Sequence, residues 1–220
     1  MATITLYPTA DTSLNHSCSS GSSGYAMIDE ASSDSDSTYI YQSVTSRTSA
    51  TVTSQFKISG TSVGKIKISS VTLTAYYKKS TSSSVTATLV CSLLCNGSTY
   101  SGSSGSAGTS YAATTITKSA SDLGIADTVF DSFDAVGFGV KIATTGKKRS
   151  SFSSSFQIRV TQVYLAVTYE IVNEGTGIYL KQNGAYKQAQ NAYKKVSGVW
   201  VKQDASTLKT EMQPGKYILA

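Results

Sequence analysis

The stretch Gly64 to Lys79, GKIKISSVTLTAYYKK, constrains this chain more than any other. Ile66 and Ile68 alternate with lysines, and after Ser69-Ser70 the apolar set resumes one position out of step at Val71, Leu73, Ala75 and Tyr77. A period of two marks a strand buried on one face. A slip of one residue would turn every later side chain to the wrong face, so Ser69-Ser70 is expected to form a bulge or bend. Phe156 to Tyr169, FQIRVTQVYLAVTY, does the same: Phe156, Ile158 and Val160 alternate, Thr161-Gln162 interrupts, and Val163, Leu165, Val167 and Tyr169 follow out of phase. Two distant strands with matching slips are expected to be neighbours that bend together in one β-sandwich.

Other strands are expected at Thr3–Leu6, Thr38–Val44, Thr51–Ile58, Val85–Leu94, Thr114–Lys118 and Val136–Ile142. Gly97–Gly108 (GSTYSGSSGSAG) reads as a flexible excursion without core residues, and Ala120–Phe133 as the one short helix, capped at Ser121. About eight strands joined by Gly/Ser turns, with no βαβ alternation, predict an all-β jelly-roll sandwich over residues 1–172, its first strand beside its last. Serine and threonine make up about 30% of the chain, which suits a sheet surface solvated by hydroxyls in place of charges.

From Val172 the composition changes. Residues 173–220 are read as a separate basic β-hairpin module, in which the seven lysines after Gly175 face only Asp204 and Glu211, a net of +5 out of +6 for the whole chain. The segment repeats with a spacing of fourteen: Tyr179 aligns with Tyr193, Lys181 with Lys195, Gly184 with Gly198, and Tyr186 with Trp200. Asn183-Gly184 and Ser197-Gly198 predict two-residue hairpins that pair 181 with 186 and 195 with 200, and Gln213–Lys216 predicts a third turn. One face would then carry Tyr179, Lys181, Tyr186, Tyr193, Lys195, Trp200 and Lys202. Each lysine beside a ring there gives a cation–π contact of about 0.5–1 kcal/mol. Hairpins this small need a neighbour, so these seven residues are the expected assembly interface. The lysines are evenly spaced and arginine is absent, which suits protection of strand edges better than nucleic-acid binding.

Signals for chemistry are sparse. Cys18, Cys91 and Cys95 are odd in number and read as small buried hydrophobes. His16 is the sole histidine and has no partners for a triad. Asp29, Glu30, Asp34 and Asp36 form one acidic cluster, and Asp122, Asp127, Asp131 and Asp134 another. Neither has the EF-hand spacing, and both read as solvated carboxylates, so no metal or cofactor and no enzymatic activity are expected. The start MATITLYPTAD has no basic or apolar signal region, and no run is long enough for membrane insertion, so synthesis in a cytoplasm is expected.

The run of YPTADTSL, STYIYQS, SQFKIS, GKIKISSVTLTAYY, AVGFGVKI and VTQVYLAVTYE resembles the jelly-roll sandwiches of carbohydrate-binding modules. IYLKQNGAYKQ and AYKKVSGVWVK are similar to short appendages on minor structural proteins of tailed phages that infect Gram-positive bacteria. Together these resemblances imply a virion accessory protein: a fibre, spike or decoration protein released by host lysis. Its partners would be capsid or tail proteins, further copies of itself, and a host-surface glycan. The alternative is a stand-alone carbohydrate-binding module. Sugar binding needs aromatic platforms with hydroxyls nearby, and the candidates are Tyr39, Tyr41, Tyr76, Tyr100 and Tyr111, although half-buried sheet packing is the favoured reading of each.

Overall fold

A computed structural model describes residues 1–32, 36–82, 85–102, 104–149, 154–172, 179–182, 185–188, 192–203 and 217–219, with backbone alone in 179–182, 185–188, 192–196, 200, 202–203 and 217–219. The chain divides into two compact units, Met1–Ile171 and Val172–Ala220.

The first unit is a jelly-roll sandwich of two antiparallel sheets. Its strands are β1 (Ala2–Leu6), β2 (Pro8–Ser13), β3 (Ser17–Cys18), β4 (Ile40–Val44), β5 (Ala50–Ile58), β6 (Ile66–Lys79), β7 (Thr86–Cys95), β8 (Ser98–Ser101), β9 (Gly105–Ser106), β10 (Ala112–Ser119), β11 (Val129–Phe130), β12 (Gly139–Lys147) and β13 (Phe156–Ile171). One sheet runs β10-β6-β13-β4-β3, with β1 also on β13 and β11 on β6; the other runs β2-β5-β12-β7-β8, with β9 on β7. β1 pairs with β13 from Ala2 opposite Tyr169 to Leu6 opposite Leu165, so the first strand does lie beside the last. The chain then crosses to the other sheet at Tyr7, and Pro8, which has no N–H to donate, begins the edge strand β2.

The two long strands are the central pair of their sheet, and both slips are bulges. Thr168 pairs with Ser70 and Tyr169 with Ile68, leaving Ser69 extra; Val160 pairs with Tyr77 and Gln162 with Tyr76, leaving Thr161 extra. The strands are antiparallel, so the bulges fall at opposite ends of the ladder. They do not make one shared bend. Each keeps its own strand's apolar residues inward, and Ile66, Ile68, Val71, Leu73, Val160, Val163, Leu165 and Val167 are all buried.

Two expectations fail. Ala120–Phe133 contains no α-helix: it is a series of turns followed by β11, and the 3₁₀ turn lies later, at Asp134–Val136. Ser119 and Asp122 bond each other reciprocally, with Ser119 N–H and Oγ donating to Asp122 Oδ2 and Asp122 N–H donating to Ser119 Oγ. That is a capping box and it opens one helical turn, with Leu123 N–H donating to the Ser119 carbonyl, but left-handed Gly124 (φ 69°) ends the turn at once. Leu123 and Ile125 are buried as plugs at the sandwich end. Gly97–Gly108 is not structureless either. Asn96 (φ 48°) and Gly97 (φ 76°) close a hairpin from β7 to β8, as Asn-Gly is suited to do, and β9 rests on β7.

The second unit contains β14 (Tyr179–Gln182) paired with β15 (Ala185–Gln188), and β16 (Ala192–Val196) between β17 (Val199–Gln203) and β18 (Tyr217–Leu219). Lys181 lies opposite Tyr186 and Lys195 opposite Trp200, the registers the repeat predicts. Ser197 (φ 48°) and Gly198 (φ 86°) make the tight turn between β16 and β17. The Asn183-Gly184 and Gln213–Lys216 turns lie outside the described residues, as do the side chains of the seven proposed interface residues.

Candidate functional site

On the face of the β6/β13 sheet turned away from the core, side chains form rows across the strands. One row reads Tyr41, Arg159, Lys78. The next is Gln162 beside Tyr76, and the next Tyr164, Thr74, Thr115. Beyond these come the hydroxyl rows Ala166, Thr72, Thr117 and Thr168, Ser70, Ser119. The Thr72 and Thr117 hydroxyls are 2.9 Å apart and those of Thr3 and Thr168 3.4 Å apart. The serine and threonine content is thus arranged as ladders of mutually bonded hydroxyls, a surface able to both donate and accept.

Two aromatic groups stand at one end of this face. The first lines a cleft of about 440 Å³ walled by Thr5, Tyr7, Tyr76, Gln162 and Tyr164, with Ala31 and Ser32 also lining it. The Tyr7 and Tyr164 rings lie 6.3 Å apart at 55°. Gln162 is buried below them and donates to the Glu30 carbonyl at 2.8 Å, while Thr161 Oγ1 donates to the Thr38 carbonyl at 3.0 Å. The β13 bulge that places Thr161 and Gln162 therefore also ties down the acidic loop over the sheet. The half-buried tyrosines offer ring faces within a wall of hydroxyls, the combination that suits a pyranose ring.

The second group is charged. Asp36 Oδ2 accepts from Lys78 Nζ at 2.5 Å, and Asp36 Oδ1 accepts from Arg159 at 2.7 Å and from the Tyr111 hydroxyl at 3.2 Å. The Lys78 hydrogen bond, opposed by partial desolvation and reinforced by Arg159, holds the Asp36 carboxyl below its ordinary range. Burial, then the nearby Asp36 charge, pushes the Tyr111 phenol up. Lys78 Nζ stands 4.5 Å from the centre of the Tyr111 ring, and the Arg159 guanidinium 4.5 Å from that of Tyr39. The Tyr39 and Tyr41 rings are 5.8 Å apart. The acidic loop thus supplies an internal counter-ion through Asp36. Asp34 lies outside the described residues.

Of the five candidate tyrosines, Tyr41 and Tyr76 lie in strands of this sheet, and Tyr39 and Tyr111 immediately precede its strands β4 and β10. Tyr100 belongs to the other sheet, where it packs against the core and its hydroxyl donates to the Leu123 carbonyl at 2.9 Å. Sequence reasoning missed Tyr7 and Tyr164. Tyr164 had a signal: it sits between the inward Val163 and Leu165, so it had to face outward. Tyr7 had none, because its place follows from the crossing between sheets.

Other charged groups pair away from this face. Lys67 and Asp127 are 3.5 Å apart, Lys65 and Asp131 3.9 Å, and Asp134 accepts from the Gly60 N–H. Among the described residues, no three His, Cys, Asp or Glu side chains are gathered closely enough to hold a metal ion. His16 does sit between two hydroxyls, Ser54 Oγ at 2.8 Å from Nδ1 and Thr144 Oγ1 at 2.8 Å from Nε2. Ser54 and Thr144 have no exposed surface, so this serine–histidine contact is core structure out of a substrate's reach.

No protein-family model and no curated protein matches this sequence. Three solved structures are distantly similar. The carbohydrate-binding module TmCBM61, solved in complex with β-1,4-galactotriose, is 8% identical, with 60% of this chain and 72% of that one covered and a TM-score of 0.31. A CBM4 protein is 13% identical over 59% of this chain and 84% of its own, at 0.33. The enzymatically active domain of bacteriophage CBA120 tailspike protein 4 is 11% identical over 76% of this chain but 19% of its own, at 0.36. Likeness this slight bears on neither ligand nor assembly, and the fold assignment stands on the strand order itself.

Proposed function

We propose that Met1–Ile171 is a non-enzymatic carbohydrate-binding sandwich whose ligand lies on the outer face of the β6/β13 sheet. The observation that carries this reading is the convergence of Tyr7, Tyr76 and Tyr164 on one hydroxyl-walled cleft. A sugar ring stacks its C–H face on an aromatic ring and exchanges hydrogen bonds around its edge, and this cleft offers both kinds of contact. The ladder of threonines and serines beyond it would receive further units of an oligosaccharide. A glycan array probed with the full chain tests the reading: binding to a defined set of oligosaccharides supports it, and silence across the array removes it.

The chain as a whole reads as a virion component, a fibre, spike or decoration protein, with the sandwich displayed for host adhesion and the basic hairpins docked on capsid or tail proteins or on other copies of the chain. The Tyr/Lys/Gly repeat supports this, because its hairpins present edges that need a neighbour. Cross-linking of intact particles is expected to join Lys181, Lys195 or Lys202 to another chain, and cross-links confined within one chain would count against it.

A further inference from the structure

The sandwich is electrically polarised along β6. At the end where β6 begins, Lys65 and Lys67 are matched by Asp131 and Asp127, with Glu170 opposite Lys67. At the end where β6 finishes, seven of the unit's twelve lysines and arginines collect. Lys78 and Arg159 there share Asp36.

The remaining five line connected clefts. One, of about 420 Å³, is walled by Arg47, Lys147, Lys148 and Arg149 with the Thr86 hydroxyl. A second shares Thr86 and Arg149 with it and adds Lys79. A third shares Lys79 and continues past Ser80, Thr81 and Ser82 to Lys78 and Arg159. Shared wall residues set the three side by side, a groove in sections around the end of the sandwich. Among the described residues that line its first two sections, none is acidic.

We infer that this groove binds an acidic polysaccharide, a polymer of hydroxylated sugar units carrying carboxylate or sulfate groups. Arg47 and Arg149 offer planar forks for such oxyanions. Serine and threonine hydroxyls alternate with the cations, matching a ligand whose charges are separated by hydroxyl-bearing rings. Among the described residues lining its first two sections there is no aromatic ring, so the bases of a single-stranded nucleic acid would find no platform to stack on there. The groove is distinct from the tyrosine cleft, shares no lining residue with it, and does not rest on that cleft's function.

Titration of the full chain with polygalacturonate and with dextran sulfate at low salt tests the inference, with duplex DNA as a third ligand. At least one of the two polysaccharides is expected to bind, with affinity falling as salt rises. Lys147→Gln with Arg149→Gln should weaken that binding roughly tenfold, at about threefold per exposed cation removed. Lys65→Gln with Lys67→Gln removes the same charge from the other end and should leave it unchanged, as should Tyr164→Ala, which separates failure of this site from failure of the tyrosine cleft. No binding to either polysaccharide, equal weakening by the two lysine-containing pairs, or DNA bound as tightly would each overturn the inference.

Discussion

Lowering the pH should destabilise this sandwich through one residue. Ser54 Oγ accepts two backbone N–H groups, those of Asn15 at 3.0 Å and His16 at 3.1 Å. With both lone pairs engaged, its hydroxyl proton has one remaining use, donation to His16 Nδ1. Nδ1 is then the acceptor, and Nε2–H donates to Thr144 Oγ1. A proton added to Nδ1 would face a hydroxyl with no free lone pair, in a site where burial already disfavours the charge. Burial alone lowers the His16 pKa from 6.5 to about 4. The folded value is depressed and the neutral form is the stabilised one, so the full contribution is present above about pH 6.5 and is lost as pH falls towards 4. At 1.36 kcal/mol per unit the loss is about 2 kcal/mol by pH 5 and about 3 kcal/mol at its limit, a large part of an ordinary domain's stability. Urea unfolding at about pH 7.5, 6 and 5 measures it. Desolvation raises Asp29, which gives a shallow opposite trend, and the lowered Asp36 acts only as pH approaches its unfolded value of 3.8. Neither depends on His16, so His16→Gln isolates the effect: the variant should be less stable at pH 7.5 yet nearly flat down to pH 5. Wild-type stability unchanged over this range, or an equal slope in the variant, would refute the reasoning.

Other outcomes follow from packing and charge. Gly139→Ala would place a Cβ 2.8 Å from the Phe56 carbonyl oxygen and 3.2 Å from Leu94 Cδ1, and should cost about 1–3 kcal/mol in thermal or urea unfolding. Burial raises the Cys91 thiol to about 12 and Cys95 to about 11, so a thiol reagent at about pH 8 should modify at most Cys18 in the native protein and all three cysteines once it is unfolded. Asp36→Asn removes the counter-ion of Lys78 and Arg159 at a half-exposed position and should cost about 1 kcal/mol or less at neutral pH by urea unfolding, an effect that shrinks with salt.

The sequence disclosed the architecture where periodicity was strong. The slips at Ser69-Ser70 and Thr161-Gln162 identified the central pair of strands and their bulges. Antiparallel pairing, which one strand's pattern does not carry, put those bulges at opposite ends. The fourteen-residue repeat gave the hairpin registers of 181 with 186 and 195 with 200. The same Asn-Gly signal went unread at Asn96-Gly97, because the Gly/Ser-rich segment after it looked structureless. There Tyr100 and Ala107 anchor the chain against β7 and the core. The helix expected over Ala120–Phe133 failed because Gly124, in the left-handed region, ends it one turn after the Ser119/Asp122 capping box opens it. Of the functional face, the tyrosines were visible but their grouping was not. Tyr7, Tyr76 and Tyr164 come from three strands or strand ends that meet only in the sheet, and nothing local separates Tyr100 from them. The cationic groove likewise gathers Arg47, Lys79 and Lys147 from separate turns.

A calorimetric titration with an oligosaccharide selected on the array compares the two sheets directly. Tyr164→Ala removes a ring from the cleft on the β6/β13 sheet, whereas Tyr100→Phe keeps its ring and loses only the hydroxyl on the other sheet. The account predicts about tenfold weaker binding for Tyr164→Ala, near 1.4 kcal/mol, and unchanged binding for Tyr100→Phe. Undiminished affinity in Tyr164→Ala, or an equal loss in both variants, would contradict it.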